Sequence, residues 1–515
     1  MIGVLHFTST YRFPSNLRGT PQYRWTSLDS DNGVTELLVA SSNKYLKNQY
    51  AIVQFKTAAE PRPIGIIIKI LGEIGNTYAE IEARLYYRQV AFKKWKFQPP
   101  PLIDLFARAN PMHIDYQHLT VYSVDPDGCR DVDDAFSYLE KEHRIGIHIA
   151  DVSYLLQEYG LLEMENFQER YSSVYLPDHV NHMIPESLSA DQASLLPGQP
   201  RFAWTLWLDL SPDNHIIDWK FERTIIKSHR AFTYDEAETA PEITLISKIV
   251  RELGSNMLQL KHEQWSMHEM VEVLMIITNH FAATFIHEHS DKGIYRTHTG
   301  KLEDVIDVDP ELNKFLNILN SQAAQYTFDT GQYYHYGLKI DKYTHFTSPI
   351  RRFSDIYVHI LLSNIIFPHY GQLACELQID LKKINDFHHR VKLFQRDLDK
   401  IKLISLIGTH KEHRGYIIDI SNDHILDVYF STFKILVSFP IIHKNIIGLF
   451  QISNQPTYLE ISYNNSTISI PKRKLMTFNL FPQPDEIYLS KKIKCEIPAL
   501  ATFLQDQHSF VTSDI

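Results

Sequence analysis

Short runs of alternating apolar and polar residues open the chain and predict β-strands. The runs ELLVA, YAIVQF and IGIIIKIL are separated by the polar or proline-containing stretches SSNKYLKN and AAEPRP. Short strands at this spacing are typical of a small barrel or sandwich. The pattern ends at FKKWKFQPPP, a basic aromatic stretch that runs into prolines. We therefore expect a β domain over residues 1–100.

The middle of the chain, residues 112–405, mixes strand patterns with long helical patterns. FSYLE and RIGIHIA flank the polar EKEH and predict a hairpin. The run HEQWSMHEMVEVLMIITNHFAATFIHEH is apolar on nearly every face, which suits a helix buried in a large core. In TSPIRRFSDIYVHILL, Ser348 is the predicted N-cap and Pro349 the first helical residue. These patterns predict an α/β domain.

Alternating runs return after residue 408 and predict a second small β domain over residues 408–505. They are GYIIDIS, ILDVYFS, ILVSFPII, YLEISY and STISIPKRK, separated by polar turns. A chain of 515 residues exceeds what one hydrophobic core usually organises. The expected fold class is therefore a multidomain α+β protein, with a central α/β domain between two small β domains.

Composition narrows the class of protein. Hydrophobic residues make up 44% and charged residues 22% of the chain, which are globular values. No run approaches the roughly 20 apolar residues that span a bilayer, and the N-terminal apolar stretch is too short for a secretory signal, so we expect a cytoplasmic protein with no membrane partner. The 3 cysteines contain no CxxC pair and support neither a disulfide framework nor a thiolate zinc site. The net charge of −10 argues against a surface that coats nucleic acid but allows a local basic channel.

Carboxylates concentrate in the stretch TVYSVDPDGCRDVDDAF. Its aspartates are Asp125, Asp127, Asp131, Asp133 and Asp134. Two unit charges ~4 Å apart repel by about 4 kcal/mol at an effective dielectric of about 20, so such a cluster needs cations to stay ionised. Alternation along an extended chain would point Asp131 and Asp133 the same way and Asp134 the opposite way, while the loop folds Asp125 back.

The cluster offers only oxygen ligands, which favour Mg²⁺ or Mn²⁺ over zinc. A helix-loop-helix calcium loop starting at Asp125 fails, because Arg130 stands where glycine is required and Phe136 where a bidentate glutamate is required. Surface turn aspartates remain the alternative, although the flanking strand patterns favour a cleft. A magnesium site of this kind usually keeps waters and binds substrate phosphate, so the cluster indicates phosphoryl or phosphodiester chemistry.

Two arginines, Arg351 and Arg352, fall in the predicted first turn of the helix capped by Ser348. The helix dipole is positive there, so two cations are unfavourable without a nearby anion. With the free amides of that turn the arginines predict an anion site, since arginine suits a bidentate grip on phosphate. A salt bridge to Asp355 is the alternative, and one arginine could serve each role.

These two stretches carry a family resemblance. SVDPDGCRDVDDAF resembles the aspartate motif, and YTHFTSPIRRFSDIYVH the arginine motif, of the RNB exoribonucleases, the ribonuclease II and R family that includes the exosome's catalytic subunit. HIADVSYLL, RYSSVYLPDHVNHMIPESLS, SLLPGQPRFAW and AFTYDEA are similar to the family's intervening blocks, in the same order. The resemblance implies a cold-shock-like OB barrel over 1–100, an RNB catalytic domain over 112–405 and an OB-like RNA-binding β domain over 408–505. The last of these matches weakly.

The resemblance also implies the functional residues. The family's metal ligands fall on four aspartates: Asp125, Asp131, Asp133 and Asp134. Asp133 and Arg351 would be catalytic, with Mg²⁺ or Mn²⁺ as the cofactor. The implied RNA-binding residues are Tyr175, Tyr234, Arg351 and Arg352. Tyr175 would pack against the terminal nucleotide, and an ordinary packing role stays open for both tyrosines.

The activity that the resemblance implies is magnesium-dependent hydrolysis of single-stranded RNA from its 3′ end to nucleoside 5′-monophosphates. The alternative is a catalytically inactive RNB-fold protein that binds RNA and regulates. Inactive members should lack metal ligands, and all four aspartates are present here, which favours activity. Single-stranded RNA is the expected partner, and the sequence leaves open membership of a larger RNA-decay complex.

Overall fold

The computed structural model describes most of the chain. The described residues are 1–9, 13, 19–29, 35–57, 63–108, 112–164, 167, 169–258, 265–298, 309–320, 324–328, 331, 333–368, 379–407, 412–421, 425–441, 451–463 and 466–511. The helices are α1 (Thr77–Tyr87), α2 (Ile103–Phe106), α3 (Val152–Glu158), α4 (Tyr234–Thr239), α5 (Pro241–Leu258), α6 (Met267–His289), α7 (Pro310–Asn320), α8 (Phe353–Ile366), α9 (Leu381–Ile407) and α10 (Pro498–Val511).

The N-terminal strands close into a barrel, which is one of the two architectures that the alternating runs predict. They are β1 (Ile2–His6), β2 (Gln22–Ser27), β3 (Glu36–Ala40), β4 (Gln49–Thr57) and β5 (Ile64–Glu73). Their order around the barrel is β1-β2-β3-β5-β4. Gly72 has a φ of +138°, and a Cβ there would lie 2.9 Å from the Cβ of Ala79 in α1. Glycine therefore suits this position both for its backbone and for the close approach of the helix.

The middle of the chain is built on a mixed sheet. Its strands and the two small hairpins beside it are β6 (Ile114–Asp115), β7 (Val121–Asp125), β8 (Asp134–Leu139), β9 (Arg144–Ala150), β10 (Val174–Tyr175), β11 (Val180–Asn181), β12 (Pro200–Leu210), β13 (Ile216–Thr233), β14 (Ile294–Thr297) and β15 (Gln325–Phe328). The sheet order is β12-β9-β8-β7-β13-β6, and β12 also pairs with β13. The predicted hairpin is confirmed, since β8 and β9 pair antiparallel.

Helix α6 is the long apolar helix that the sequence predicts. By length and mean hydropathy it is one that could cross a membrane, but 61% of its apolar window is buried inside the protein. Its residues Met270, Val273 and Ile277 belong to the same hydrophobic core as the strands of the middle sheet. This burial is what the sequence predicts for a core helix.

The C-terminal strands form two sheets. They are β16 (Glu412–Ile420), β17 (Ile425–Phe430), β18 (Ile435–Pro440), β19 (Gln451–Asn454), β20 (Tyr458–Tyr463), β21 (Ser466–Pro471), β22 (Leu475–Pro482) and β23 (Ile493–Glu496). One sheet has the order β18-β17-β16-β22-β23 and the other β19-β20-β21. With the N-terminal barrel and the middle sheet, they give the expected α+β multidomain fold.

Contacts within the chain divide it into two compact units. The first unit comprises Met1–Ala91, Glu303–Leu319 and Arg390–Ile515, and the second comprises Phe92–Leu302 and Asn320–His389. Within the first unit, Lys492 Nζ lies 2.9 Å from Oε1 of Glu80, and both side chains are buried. Tyr50 donates its hydroxyl to the same carboxylate at 3.0 Å. Phe315 of α7 stacks on Tyr429 of β17 with ring centroids 3.8 Å apart. The domain limits at 1–100, 112–405 and 408–505 stay predictions.

The predicted start of the arginine-bearing helix is wrong by several residues. Helix α8 begins at Phe353, and Arg352 is its N-cap, with extended backbone angles. Ser348 instead begins a turn, because its carbonyl accepts the Arg352 amide at 3.0 Å and its own amide donates to Asp355 Oδ1 at 2.8 Å. The carboxylate of Asp355 thus holds the turn that precedes the helix, and neither arginine lies inside the first helical turn.

Candidate active site

A cavity of about 520 Å³ in the second unit brings together the eight site residues that the sequence predicts. They are Asp125, Asp131, Asp133, Asp134, Tyr175, Tyr234, Arg351 and Arg352. Asp127, the remaining aspartate of the cluster, is exposed and is not among the lining residues. Residues more than 200 positions apart in the sequence thus face one space.

The aspartates are held by the loop between β7 and β8. Gly128 has a φ of +73°, which permits the turn closed by the Cys129 amide and the Pro126 carbonyl at 3.1 Å. The Ala150 amide of β9 donates to the Asp133 carbonyl at 2.9 Å. This segment is irregular rather than a regular strand, so the predicted alternation does not apply. Asp134 lines the same cavity, and the expectation that it opposes its neighbours is wrong.

Arg351 and Asp133 form the contact that joins the two sequence motifs. Arg351 Nε lies 3.3 Å from Asp133 Oδ2, and a second guanidinium nitrogen donates to Ser348 Oγ at 3.0 Å. The Ile350 amide donates to Asp133 Oδ1 at 2.9 Å. The side chain of Arg351 is 45% exposed while that of Asp133 is 6% exposed. Arg351 is therefore anchored at its base and open at the cavity.

Arg352 has a different partner. Its guanidinium donates to Asp355 Oδ1 at 2.9 Å, which is the salt bridge weighed above as the alternative for one arginine. Asp355 is fully buried and also accepts the hydroxyl of Ser354 at 3.0 Å. Arg352 Nε is buried and has no acceptor among the residues that the structure describes. Of the two arginines, Arg351 is the more open to a ligand in the cavity.

Tyr175 reaches into the cavity from β10. Its hydroxyl donates to Asp131 Oδ2 at 2.6 Å, and its side chain is 39% exposed. The backbone just before Tyr175 is hydrogen-bonded to the turn that begins at Ser348, because the Ser173 amide donates to the Arg351 carbonyl at 3.0 Å. An exposed ring fixed at its tip can present a flat face to a base.

Tyr234 is placed by the capping box of α4 and by an aromatic partner. The side chains of Thr233 and Glu236 cap the helix reciprocally. The ring of Tyr234 stacks on His268 with centroids 3.6 Å apart. A pairwise contact across two helices leaves no sequence pattern, so this histidine could not be found from the sequence.

Two residues of α6 at the cavity were missed by sequence reasoning. Glu272 is exposed and lines the cavity. Asn279 is buried, donates to Tyr343 Oη at 3.0 Å and accepts the Phe346 amide at 2.7 Å, which holds the segment before the arginine turn. The available signal was a polar residue inside an otherwise apolar helical run.

The electrostatics of the cavity favour a bound cation. Burial, and then the charge of Asp131, raises the pKa of Asp125 to about 6. Burial raises the pKa of Asp133 to about 7, although Arg351 lies beside it. Burial, followed by the charges of Asp125 and Asp133, raises the pKa of Asp134 well above its usual range. Ionised carboxylates in this space therefore need positive charge beyond that of Arg351.

The donor set fits a hard divalent ion in its chemistry. Asp125 Oδ2 is buried and has no hydrogen-bond partner among the described residues. No three His, Cys, Asp or Glu side chains in the described part of the chain are arranged to hold a metal by themselves. Mg²⁺ is commonly bound by one or two carboxylates together with waters and substrate phosphate, so an incomplete protein cage agrees with that ion.

Sequence comparison finds a known domain and annotated relatives. A profile described as RNB domain matches residues 113–261 and 240–368. The Arabidopsis thaliana protein named exosome complex exonuclease RRP44 homolog A is 28% identical over 385 residues, which are 58% of this chain and 41% of that protein. The chain thus spans less than half the length of this relative.

Solved structures share the fold. The apo form of Mycoplasma genitalium RNase R matches with a TM-score of 0.74 at 18% identity, over 95% of this chain and 89% of that one. The same enzyme in complex with ribose-methylated single-stranded RNA matches with a TM-score of 0.66 at 17% identity, over 96% and 100%. Yeast Ssd1, described as a pseudonuclease, matches with a TM-score of 0.60 at 16% identity, over 90% and 67%.

Proposed function

Because the chain belongs to the RNB family, we propose that it is a 3′-to-5′ exoribonuclease. It would hydrolyse single-stranded RNA and release nucleoside 5′-monophosphates one at a time. The observation that carries this proposal is the cavity in which four aspartates, an exposed arginine and an exposed tyrosine from separate motifs face one another. The RNA-bound structure of the Mycoplasma relative supports RNA as the ligand.

The proposed reaction adds water across the terminal phosphodiester. The bond from phosphorus to the 3′ oxygen of the preceding nucleotide breaks, the shortened RNA keeps a 3′-hydroxyl, and the released nucleotide keeps the phosphate on its 5′ oxygen. Asp125, Asp131, Asp133 and Asp134 would hold Mg²⁺, or Mn²⁺, which supplies positive charge at the phosphate and activates water for attack.

The protein's own groups then have defined roles. Arg351 would neutralise the negative charge that develops on the phosphate oxygens, and its contacts to Asp133 and Ser348 hold it in place beforehand. The ring of Tyr175 would stack on the terminal base, which discriminates little between bases. Tyr234 and Arg352 line the same cavity and would contact the RNA strand at its walls.

The test is release of labelled nucleoside 5′-monophosphates from a single-stranded RNA whose internal phosphates carry the label. Products should appear with Mg²⁺, disappear with EDTA and need no inorganic phosphate. Asp133→Asn should reduce turnover below a hundredth of wild type, with RNA affinity near normal, because it removes a proposed ligand without adding bulk. Asp127→Asn is the matched control, since that aspartate lies in the same loop but outside the cavity, and it should keep wild-type turnover.

The alternative of an inactive RNA-binding regulator has a specific observation behind it, the fold shared with the pseudonuclease Ssd1. Wild-type protein that binds the RNA with high affinity but releases no mononucleotide at any Mg²⁺ or Mn²⁺ concentration would support that alternative. Retention of all four aspartates is the reason to favour the enzyme.

We also propose a cytoplasmic location. The free thiols of Cys129 and Cys495 agree with a reducing compartment. Fractionation of cells with an antibody to the chain tests this, and recovery in a membrane or secreted fraction would contradict it.

A further inference from the structure

Arg296 lies outside the lining of the cavity but is connected to it. It is the third residue of β14, and its directly paired residue on β15 is Tyr326. Its amide donates to the carbonyl of Tyr343 at 2.7 Å, and Tyr343 lines the cavity. Its guanidinium carbon sits 4.7 Å from the centre of the Tyr326 ring. The backbone and the ring together fix where this cation lies.

Arg296 has no carboxylate partner among the residues that the structure describes. Its side chain is half-buried, yet in the part of the chain that the structure describes no carboxylate lies within ion-pair distance and no hydrogen bond engages its guanidinium. Other arginines of this unit with similar or greater burial have acceptors. Arg144 is paired with Asp209, Arg223 with Asp151, and Arg170 donates to backbone carbonyls.

One charged neighbour of Arg296 is a second arginine, Arg352. Tyr326 donates to or accepts from Ser354 at 2.7 Å, and Ser354 adjoins the buried pair of Asp355 and Arg352. Arg352 already pairs with that carboxylate, so Arg296 adds a positive charge without a carboxylate of its own among the described residues. Burial first, and then the positive charge of Arg352, lowers the pKa of Arg296, which agrees with proximity of the two cations.

A partly desolvated cation without an anionic partner is costly, and the cost falls when an anion binds. Arginine matches a phosphate with two parallel hydrogen bonds and keeps its charge at every physiological pH. We propose that Arg296, together with Arg352, forms a second phosphate-binding subsite that holds the RNA strand beside the catalytic cavity. This inference rests on the proposed function for the identity of the strand.

The chemistry of the substrate determines which phosphate the subsite can hold. An RNA that loses its 3′-terminal nucleotide has one phosphate at the scissile bond and only a free hydroxyl on the 3′ side. Arg351 faces the cavity where the scissile phosphate would lie. Every other backbone phosphate is on the 5′ side, so Arg296 would bind an upstream phosphate and hold the strand between cleavage steps.

The test measures RNA affinity in the Asp133→Asn background across a series of salt concentrations. Each phosphate contact on a single strand contributes a slope of about −0.7 in log affinity against log salt. Arg296→Ala should make this slope less negative by about 0.7. For each tenfold rise in salt, the loss of RNA affinity should therefore be ~5-fold smaller in this variant than in the parent Asp133→Asn protein. Arg296→Lys should keep most of the slope. Arg251→Ala is the control, because Arg251 also lies over an aromatic ring, that of Trp265 at 6.0 Å, but on the exposed side of α5.

A second measurement localises the contact without relying on one variant. Single uncharged methylphosphonate linkages are placed at successive positions from the 3′ end of the RNA. One upstream position should weaken binding to the parent protein and have no further effect on Arg296→Ala. Equal losses in both proteins at every position, or an unchanged salt slope, would overturn the subsite. A wild-type protein that releases no mononucleotide while this coupling holds would reject the proposed function and keep the subsite, so the two failures are distinguishable.

Discussion

Replacing Tyr175 should separate two roles that one side chain combines. Its hydroxyl donates to Asp131 Oδ2 at 2.6 Å, and its ring is open to the cavity with the side chain 39% exposed. Tyr175→Phe removes the hydrogen bond and keeps the ring, while Tyr175→Ala removes both. A hydrogen bond to a charged group contributes about 1.5–3 kcal/mol, and solvent access places this one at the lower end.

The ring should decide where digestion stops. Stacking on a base contributes about 1–3 kcal/mol. At ~1.4 kcal/mol per tenfold, this is roughly a 5- to 150-fold difference in how tightly a short remnant is held. Tyr175→Ala should therefore end digestion at a longer RNA remnant, while its rate on long RNA changes less. Tyr175→Phe should end at the wild-type length.

The assay digests a 5′-labelled single-stranded RNA to completion and resolves the final product to one nucleotide. Tyr334→Ala is the matched control, because Tyr334 has the same 39% exposure, lies in the same unit and is not among the lining residues. An unchanged end product in Tyr175→Ala would reduce Tyr175 to a structural role. A longer end product in Tyr175→Phe would contradict the role of the ring, because it would show that the hydroxyl sets the length of the final remnant.

Three further outcomes are expected. Arg351→Lys should be severely impaired in product release, since a point charge does not reproduce a planar bidentate contact, and wild-type rates would move the role to Arg352. Burial alone would raise the pKa of Asp151, but the charge of Arg223 holds that pKa far below its usual range. The pair should therefore stabilise the fold above pH ~4, and this stabilisation should be lost as acid protonates the carboxylate. Asp151→Asn should lower the free energy of unfolding by about 3–5 kcal/mol at neutral pH, measured by chemical denaturation. The difference from wild type should become smaller in acid, and a difference that stays constant with pH would contradict the linkage. Asp133→Asn protein should prefer single-stranded RNA to a blunt duplex in binding assays, and equal affinity would contradict a threaded strand.

The sequence predicted ten of the 23 strands that the structure describes and the gathering of the site residues, because both depend on patterns that are visible in the sequence itself. Alternation marked the three barrel strands β3, β4 and β5 and the β8–β9 hairpin, which form as expected. Excess charge marked the aspartate and arginine stretches, since clustered like charges need an explanation in any fold.

The errors came from irregular backbone. The period-two rule assumes a strand, whereas the chain before Asp134 is a loop, so that side chain faces the cavity. Ser348 followed by proline looks like a helix start, but the buried carboxylate of Asp355 holds these residues in a turn and delays the helix to Phe353. Contacts between distant segments, such as Tyr234 on His268, have no local signal.

The buried pair of Glu80 and Lys492 has a consequence for how the protein is made. The two residues are 492 − 80 = 412 positions apart, so at a synthesis rate of about 5–20 residues per second Glu80 leaves the ribosome roughly 20–80 s before its partner exists. During that interval Tyr50 is the side-chain partner already present for the carboxylate. The nascent N-terminal barrel should therefore bind chaperones until translation is nearly complete, and ribosome profiling with a tagged chaperone would show when it is released.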